Sequence, residues 1–436
     1  MARPSSPPPT DPGASSGPIP GLALAHPVPA GLRDLLPPEA FRSADLCRRL
    51  VRSFELHGYE LVTVPLFEFA DVVERGLGSL EPHEVLKFVE PESGAVVSLR
   101  PDMTPQIARL VATRLSAEPG PVRLCYQGSV LRRRRERARR HRQIPQAGIE
   151  LIGAAGAAGD LELLGVVAAA VRAAGLEEFV IDLGHAGIAG ALVEGLAPEA
   201  AHALLEALEV KDESELLRRA ERSGLPSADR AALAALTGLH GGAEIWSAAE
   251  RALTGSRAEP ALLELRRLWE AACAAELAPS VLVDLGETRD LDYYTGALFH
   301  IHAEGPGRPI GSGGRYDGLL ERFGTPRPAV GFAFGLDDLA WALERAGKTV
   351  PLPARVLLAG EGALADVERA LRAEDLATAR APSGDPRQYA QAWRYSHLVE
   401  LATGTARLVT VADGSARPLP SEPRALAAQV RALVGR

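Results

Sequence analysis

Lysine is nearly absent. Lys87, Lys211 and Lys348 are the only three in 436 residues, and arginine supplies the rest of the 48 basic side chains. In a chain this rich in alanine and proline, that bias reflects genome composition, so arginine number alone carries little functional weight. Cysteine is scarce as well. Cys47, Cys125 and Cys273 are odd in number and far apart. They offer neither a disulfide framework nor a metal-ligand spacing, which suits a reducing compartment. A net positive charge is also missing: the formal charge is -8, which argues against a dedicated nucleic-acid binder. The opening residues hold no apolar core of signal-peptide length. The longest apolar stretch, from Leu161 to Leu176, is cut by Arg172 and is too short to span a membrane. What remains is a cytoplasmic globular protein, 46% hydrophobic and 24% charged, long enough for two or three domains.

Residues 1–27 are rich in Pro, Ser and Gly and read as a disordered tail that cannot bury enough surface to order itself. From there, "PPEAFRSADLCRRLVRSFELHGYELVTVP" reads as a helix, ended by Gly58, then a strand from Tyr59 to Val64. "AVVSLRPDMTPQIARLVATRL" reads as a strand and a helix with Thr104 as N-cap and Pro105 at the first helical position. Two strands over 122–131 and 144–153 form a long antiparallel hairpin. Residues 187–277 are helix-rich and form an inserted helical subdomain. "GPGRPIGSGGRYDG" reads as a turn. The expected domains are the tail, a core over 28–347, and a small α/β unit over 348–436.

The loop of that hairpin is the densest positive charge in the chain, with eight arginines between Arg132 and Arg142. It has no apolar face and no interleaved aromatics for base stacking. The strand that follows it, "QIPQAGIELIG", is more informative. Gln146, Gly148 and Glu150 share one face at period two, and Ala147, Ile149 and Leu151 share the other. The polar face either meets water or lines a pocket in which Gly148 leaves room and Glu150 receives an amine or ring N–H. Asp102 and Thr104 sit at a strand-to-helix junction, where Asp102 can cap the helix or hold a ligand ammonium. "TRDLDYYTG" places Arg289, Tyr293 and Tyr294 in a candidate binding loop. "GSGGRYDG" matches neither the Walker pattern nor GxGxxG and is weak as a phosphate loop. His300 and His302 share a strand face without a third ligand, so a structural role is favoured.

In order along the chain, "GLRDLLPPEA", "LRPDMT", "YQGSVLRRRRERARRHRQIPQAGIELIG", "LDYYTG" and "AVGFAFGLDDL" resemble the motifs of histidyl-tRNA synthetase, a class II synthetase. The resemblance covers roughly residues 30–345. It implies an α+β fold: a mostly antiparallel sheet flanked by helices, a helical insertion, and a degenerate anticodon-binding-like unit at the C-terminus. It also implies a histidine pocket of Asp102, Thr104, Arg132, Gln146, Glu150, Arg289, Tyr293 and Tyr294. Asp102, Thr104 and Gln146 would take the α-ammonium and Arg132 the carboxylate. Glu150 and a tyrosine hydroxyl would take the imidazole.

The adenylate chemistry does not carry over. The family's third motif has an arginine where this chain has Asp338, after Asp337, and an aspartate there would repel a triphosphate. The second motif has a glutamate where this chain has Arg134. This profile resembles a paralogous family, the regulatory subunits of ATP phosphoribosyltransferase. That resemblance implies a non-catalytic subunit with no catalytic residue, cofactor or metal. It would activate a short catalytic subunit in the first step of histidine biosynthesis, bind L-histidine as feedback signal, and self-associate as a dimer within a hetero-oligomer. Arg132 would point into the pocket, and the other arginines would form a mobile basic loop with little claim on RNA. The alternative is an active histidyl-tRNA synthetase.

Overall fold

The hairpin is the longest strand pair of the molecule. In a computed structural model, which describes residues 28–76, 84–133, 141–288 and 294–434, Val122–Leu131 and Gln143–Ile152 pair antiparallel over their whole length, from Val122 opposite Ile152 to Leu131 opposite Gln143. The residues at its tip, 134–140, lie outside the described part, and so does the reading of them as a mobile loop. The base is tied down: the Arg132 N–H donates to the Arg142 carbonyl, and the Arg142 N–H to the carbonyl of Gly31.

Around the hairpin runs a nine-stranded sheet. Its order is Glu60–Leu61, Val122–Leu131, Gln143–Ile152, Ala329–Gly335, Gly311–Arg315, Ala297–His302, Val180–His185, Ser280–Asp284 and His240–Gly241. Only the Glu60–Leu61 and Ser280–Asp284 pairings, with Val122–Leu131 and Val180–His185, are parallel. The strand expected over Tyr59 to Val64 is therefore reduced to two residues.

The "GSGGR" stretch expected as a turn is a central strand, Gly311–Arg315. Its glycines leave no side-chain period to read, and the packing explains them. A Cβ on Gly313 would lie 2.1 Å from the carbonyl oxygen of Gly331, and one on Gly311 would lie 2.5 Å from the ring of Phe332.

Both faces of the sheet are covered. On one, Ala147, Ile149 and Leu151 join a large core with the helices Glu39–Leu56, Gly156–Ala174 and Leu336–Arg345. Leucines of the helix-rich 187–277 region, among them Leu208, Leu233 and Leu265, belong to that same core, so the region is not a separately packed body. On the other face, Leu124, Tyr126 and Val130 pack with Met103, Ile107 and Val111 of the helix Thr104–Arg114 and with Tyr316. A three-stranded sheet, Phe67–Phe69, Val96–Leu99 and Lys87–Val89, flanks this second core. Arg100 bonds it to the hairpin, its buried guanidinium donating to the carbonyls of Val64 and Ser129 at 3.0 and 2.8 Å.

The chain divides into two compact units after Lys348. The second has a five-stranded sheet in the order Ala377–Arg380, Arg355–Gly360, His397–Ala402, Thr405–Thr410, Ala416–Leu419, with its first three strands parallel. Helices Leu364–Ala373 and Pro423–Val434 cover one face through Val367, Leu371, Leu426 and Val430. Pro386–Ala392 covers the other through Ala390. No helix among the described residues is long and apolar enough to cross a membrane.

Candidate ligand-binding site

Strand register puts Glu150 opposite Leu124 and Gly148 opposite Tyr126, so the polar face of "QAGIE" looks into the second core, not into water. Glu150 is wholly buried. The Thr104 hydroxyl donates to its Oε1 at 2.6 Å, and the Tyr316 hydroxyl donates to its Oε2. Behind Thr104 lies the buried phenol of Tyr126, hydrogen-bonded to it. Burial drives the Glu150 carboxyl up to about 8, with the two hydroxyls pulling it down and the charge of Asp102 pushing it further up.

The glycines around this carboxyl serve it directly. A Cβ at Gly331, across the pairing from Glu150, would lie 1.8 Å from Oε2. A Cβ at Gly148 would lie 2.5 Å from the Tyr126 ring and hydroxyl. The room at Gly148 is thus taken by Tyr126, not left for a ligand.

Thr104 is the first residue of its helix; Met103 stands at the N-cap. Asp102 does the capping, accepting from the Thr104 N–H at 3.0 Å. That frees the Thr104 hydroxyl for Glu150. Arg132, just past the end of the Val122–Leu131 strand, donates from Nε to the Pro101 carbonyl at 2.8 Å and brings Nη2 to 3.6 Å from Asp102. Tyr294 packs on the same core as Tyr126 and Tyr316, its ring against the bare backbone of Gly314. Arg289 and Tyr293 fall in 289–293, outside the described residues.

Next to this cluster is a cavity of about 400 Å³, whose lining includes Arg132, Gln146, Arg308, Asp337, Asp338 and Trp341. Gln146 precedes Glu150 by four residues on one strand face, about 13 Å along the strand, and Glu150, Thr104 and Tyr316 are not among the residues that line the cavity. The aspartates of the "GLDDL" segment bring their own cations. Arg33 donates to Asp337 at 2.7 Å, and Arg308 bonds Asp338 through Nε and Nη2 at 2.8 and 2.6 Å. Burial raises the Asp337 carboxyl, and Arg33 works against that shift.

Sequence reasoning missed Tyr316, Tyr126 and Gly331. Tyr316 was visible only as part of "GGRYDG". There the neighbouring Arg315 is buried, bonding Asp160 at 2.7 Å and the carbonyls of Ala154 and Gly156. Its backbone carbonyl receives the Thr295 N–H at 2.7 Å, which anchors the end of the "YYTG" loop.

Residues 31–339 match the family model of histidyl-tRNA synthetase. Among curated proteins, the ATP phosphoribosyltransferase regulatory subunit of an Anaeromyxobacter species is 47% identical over 337 residues, 75% of this chain and 96% of that protein. The subunit of the same name from Moorella thermoacetica is 41% identical over 369 residues, 84% of this chain and 94% of its own length. The chain belongs to the ATP phosphoribosyltransferase regulatory subunits, within the histidyl-tRNA synthetase family. A solved structure from Bacillus halodurans, described as an ATP phosphoribosyltransferase regulatory subunit/histidyl-tRNA synthetase, superimposes with a TM-score of 0.76 at 28% identity, covering 87% of this chain and 99% of that one. The class II synthetase-like fold with its antiparallel-rich sheet is the one the sequence motifs imply.

Proposed function

We propose that this chain is a non-catalytic, cytoplasmic subunit that activates a short ATP phosphoribosyltransferase catalytic subunit, binds L-histidine as its feedback signal, and self-associates as a dimer in the assembly. The observation that carries the reading is the character of the cavity beside the buried Glu150 cluster. Its lining holds Asp337 and Asp338, clamped by Arg33 and Arg308. A triphosphate brought there would meet two carboxylates and cations already paired, the reverse of the fixed positive charge that phosphoryl chemistry needs. In this reading Gln146 and Asp102 face the ligand ammonium. Arg132 has guanidinium N–H groups beyond those turned to Pro101 and Asp102 with which to take the carboxylate. Arg289 and Tyr293 complete the set. Histidine then regulates by preferring one state of the assembly over another.

The experiment is to titrate the catalytic subunit of the same organism with this protein and follow phosphoribosyltransferase activity with and without L-histidine. Activity that rises with added protein and falls with histidine supports the reading. No change from a folded sample, or histidine-dependent exchange of pyrophosphate into ATP by this chain alone, overturns it in favour of an active synthetase.

A further inference from the structure

Lys211, one of the three lysines of the chain, stands where glycine is the usual choice. It follows the C-cap of the helix Pro198–Glu209 at a φ of 55°, in the left-handed region that residues with side chains rarely adopt. Its side chain reaches a distant segment: Nζ donates to Asp284 Oδ1 at 2.7 Å, at the end of the strand Ser280–Asp284. The seat is shaped by a missing side chain. A Cβ on Gly286 would lie 2.6 Å from that Nζ and 2.7 Å from the Leu236 carbonyl oxygen. The Gly286 N–H donates to the same Asp284 oxygen at 2.9 Å.

This bond is one of a series. Asp284 lies opposite His240 in a short antiparallel pairing. The Leu285 N–H donates to the Leu239 carbonyl at 3.1 Å, and the Thr288 hydroxyl to the Leu205 carbonyl at 3.2 Å. Between them Glu287 turns toward His300, 3.6 Å away. The segment 284–288 is thus bonded at both ends to the helix-rich region 187–277. Directly after Thr288 come residues 289–293, which include Arg289 and Tyr293. Beyond them Thr295 belongs to the sheet, its N–H donating to the Arg315 carbonyl and its hydroxyl accepting from the Asp317 N–H at 2.9 Å. The two threonines of "TRDLDYYTG" are therefore anchored in different places, one in the insertion and one in the sheet.

We propose that Lys211 is a positioning residue for the ligand site, through which the helical insertion sets the segment that delivers Arg289, so that ligand affinity and the state of the insertion are coupled. This rests on the reading of Arg289 and Tyr293 as histidine contacts. Lys211 acts through Asp284: it fixes the run 284–288, and small displacements of a positioning segment are costly at the groups it delivers. Coupling of this kind is reciprocal. A ligand held by Arg289 steadies the turn at Lys211, and a partner that shifts the insertion changes histidine affinity without touching the pocket.

Glycine suits the backbone at Lys211, so Lys211→Gly in the full chain separates positioning from stability. It removes the ion pair and relieves the left-handed φ, and its thermal melt stays at or above that of the wild type. Its affinity for L-histidine, measured by calorimetry, falls by about tenfold, within the usual span of coupling between sites. Asp284→Asn, which keeps an acceptor for Gly286, lowers affinity similarly, and the double variant loses no more than either single one. In the wild type, L-histidine slows amide exchange over residues 205–216; in Lys211→Gly it does not. Wild-type affinity in Lys211→Gly overturns the proposal and leaves the histidine reading standing. So does histidine binding to the wild type with no change in exchange over 205–216, an outcome that needs no variant to fold. Additive losses in the double variant, with lowered melts, make Lys211 a structural ion pair and overturn the proposal as well. No histidine binding by the wild type overturns both.

Discussion

A carboxyl that keeps its proton at neutral pH leaves a mark on the stability of the empty protein. Glu150 titrates near about 8 in the fold and near about 4.3 unfolded. The folded state therefore binds more protons than the unfolded one between these values. The contribution is fully present below the unfolded value and is lost as pH rises through the folded one, at up to about 1.4 kcal/mol per pH unit. Thermal melts of the wild type and Glu150→Gln should diverge accordingly: the wild type loses more stability than the variant between pH 5 and pH 8. Parallel curves would mean that the carboxyl is solvated. The sequence made Glu150 conspicuous because an acid stands among apolar neighbours at period two. It left open which way the face looked, since that depends on the helix Thr104–Arg114 and on Tyr316, whose hydroxyl reaches it from 166 residues away.

Among the elements, the glycine strand is the least forgiving. Gly313→Ala would push a Cβ to 2.1 Å from a backbone oxygen of the neighbouring strand, and backbone in a sheet centre cannot step aside as a flexible side chain can. The expected cost is at or above the upper end of the about 1–3 kcal/mol typical of overpacking. Gly324→Ala, where a Cβ would meet nothing within 4 Å, costs less despite its left-handed φ of 88°. Chemical denaturation of the two variants checks the order. The same strand shows why legibility was uneven. The hairpin could be read because its strands are ten residues long and residues 146–151 alternate a polar residue or glycine with an apolar side chain. Gly311–Arg315 carries only the side chains of Ser312 and Arg315, too few for a period to be drawn, so it reads as a turn. The strands Phe67–Phe69 and Lys87–Val89 are three residues each, too short for any period to emerge. In the C-terminal unit, Ala377–Arg380 and Ala416–Leu419 escape for the same reason.

At the scale of the whole molecule, the cleft beside the pocket is assembled from distant parts. Arg33 lies near the first described residues, Arg308 between two sheet strands, and Asp337 and Asp338 in the first turn of the helix Leu336–Arg345. Asp338 is thus no isolated charge but one side of an ion pair in a cleft assembled from distant segments. Asp338→Arg alone should not yield histidine-dependent pyrophosphate exchange, because it leaves Arg308 stranded and Asp337 in place. It should also destabilise by about 1 kcal/mol, a modest figure because Arg308 is partly exposed. Adding Arg308→Asp restores the melting temperature, and recovery of stability only in the double variant verifies the coupling. The histidyl-tRNA synthetase motifs made Asp338 legible as a departure. The partners of the two aspartates were not legible, since nothing local marks Arg33 or Arg308 among so many arginines.

The strand Gln143–Ile152 has two buried faces with different occupations. Ala147, Ile149 and Leu151 hold the large core together, while one step out of phase Gln146 lines the cavity and Glu150 is bonded by Thr104, the two residues we propose for ligand sensing. Damage along this strand therefore sorts by parity. Odd positions fail as matter, through unfolding, whereas Gln146 and Glu150 fail as information, in a protein that still stands but no longer registers what it is meant to count.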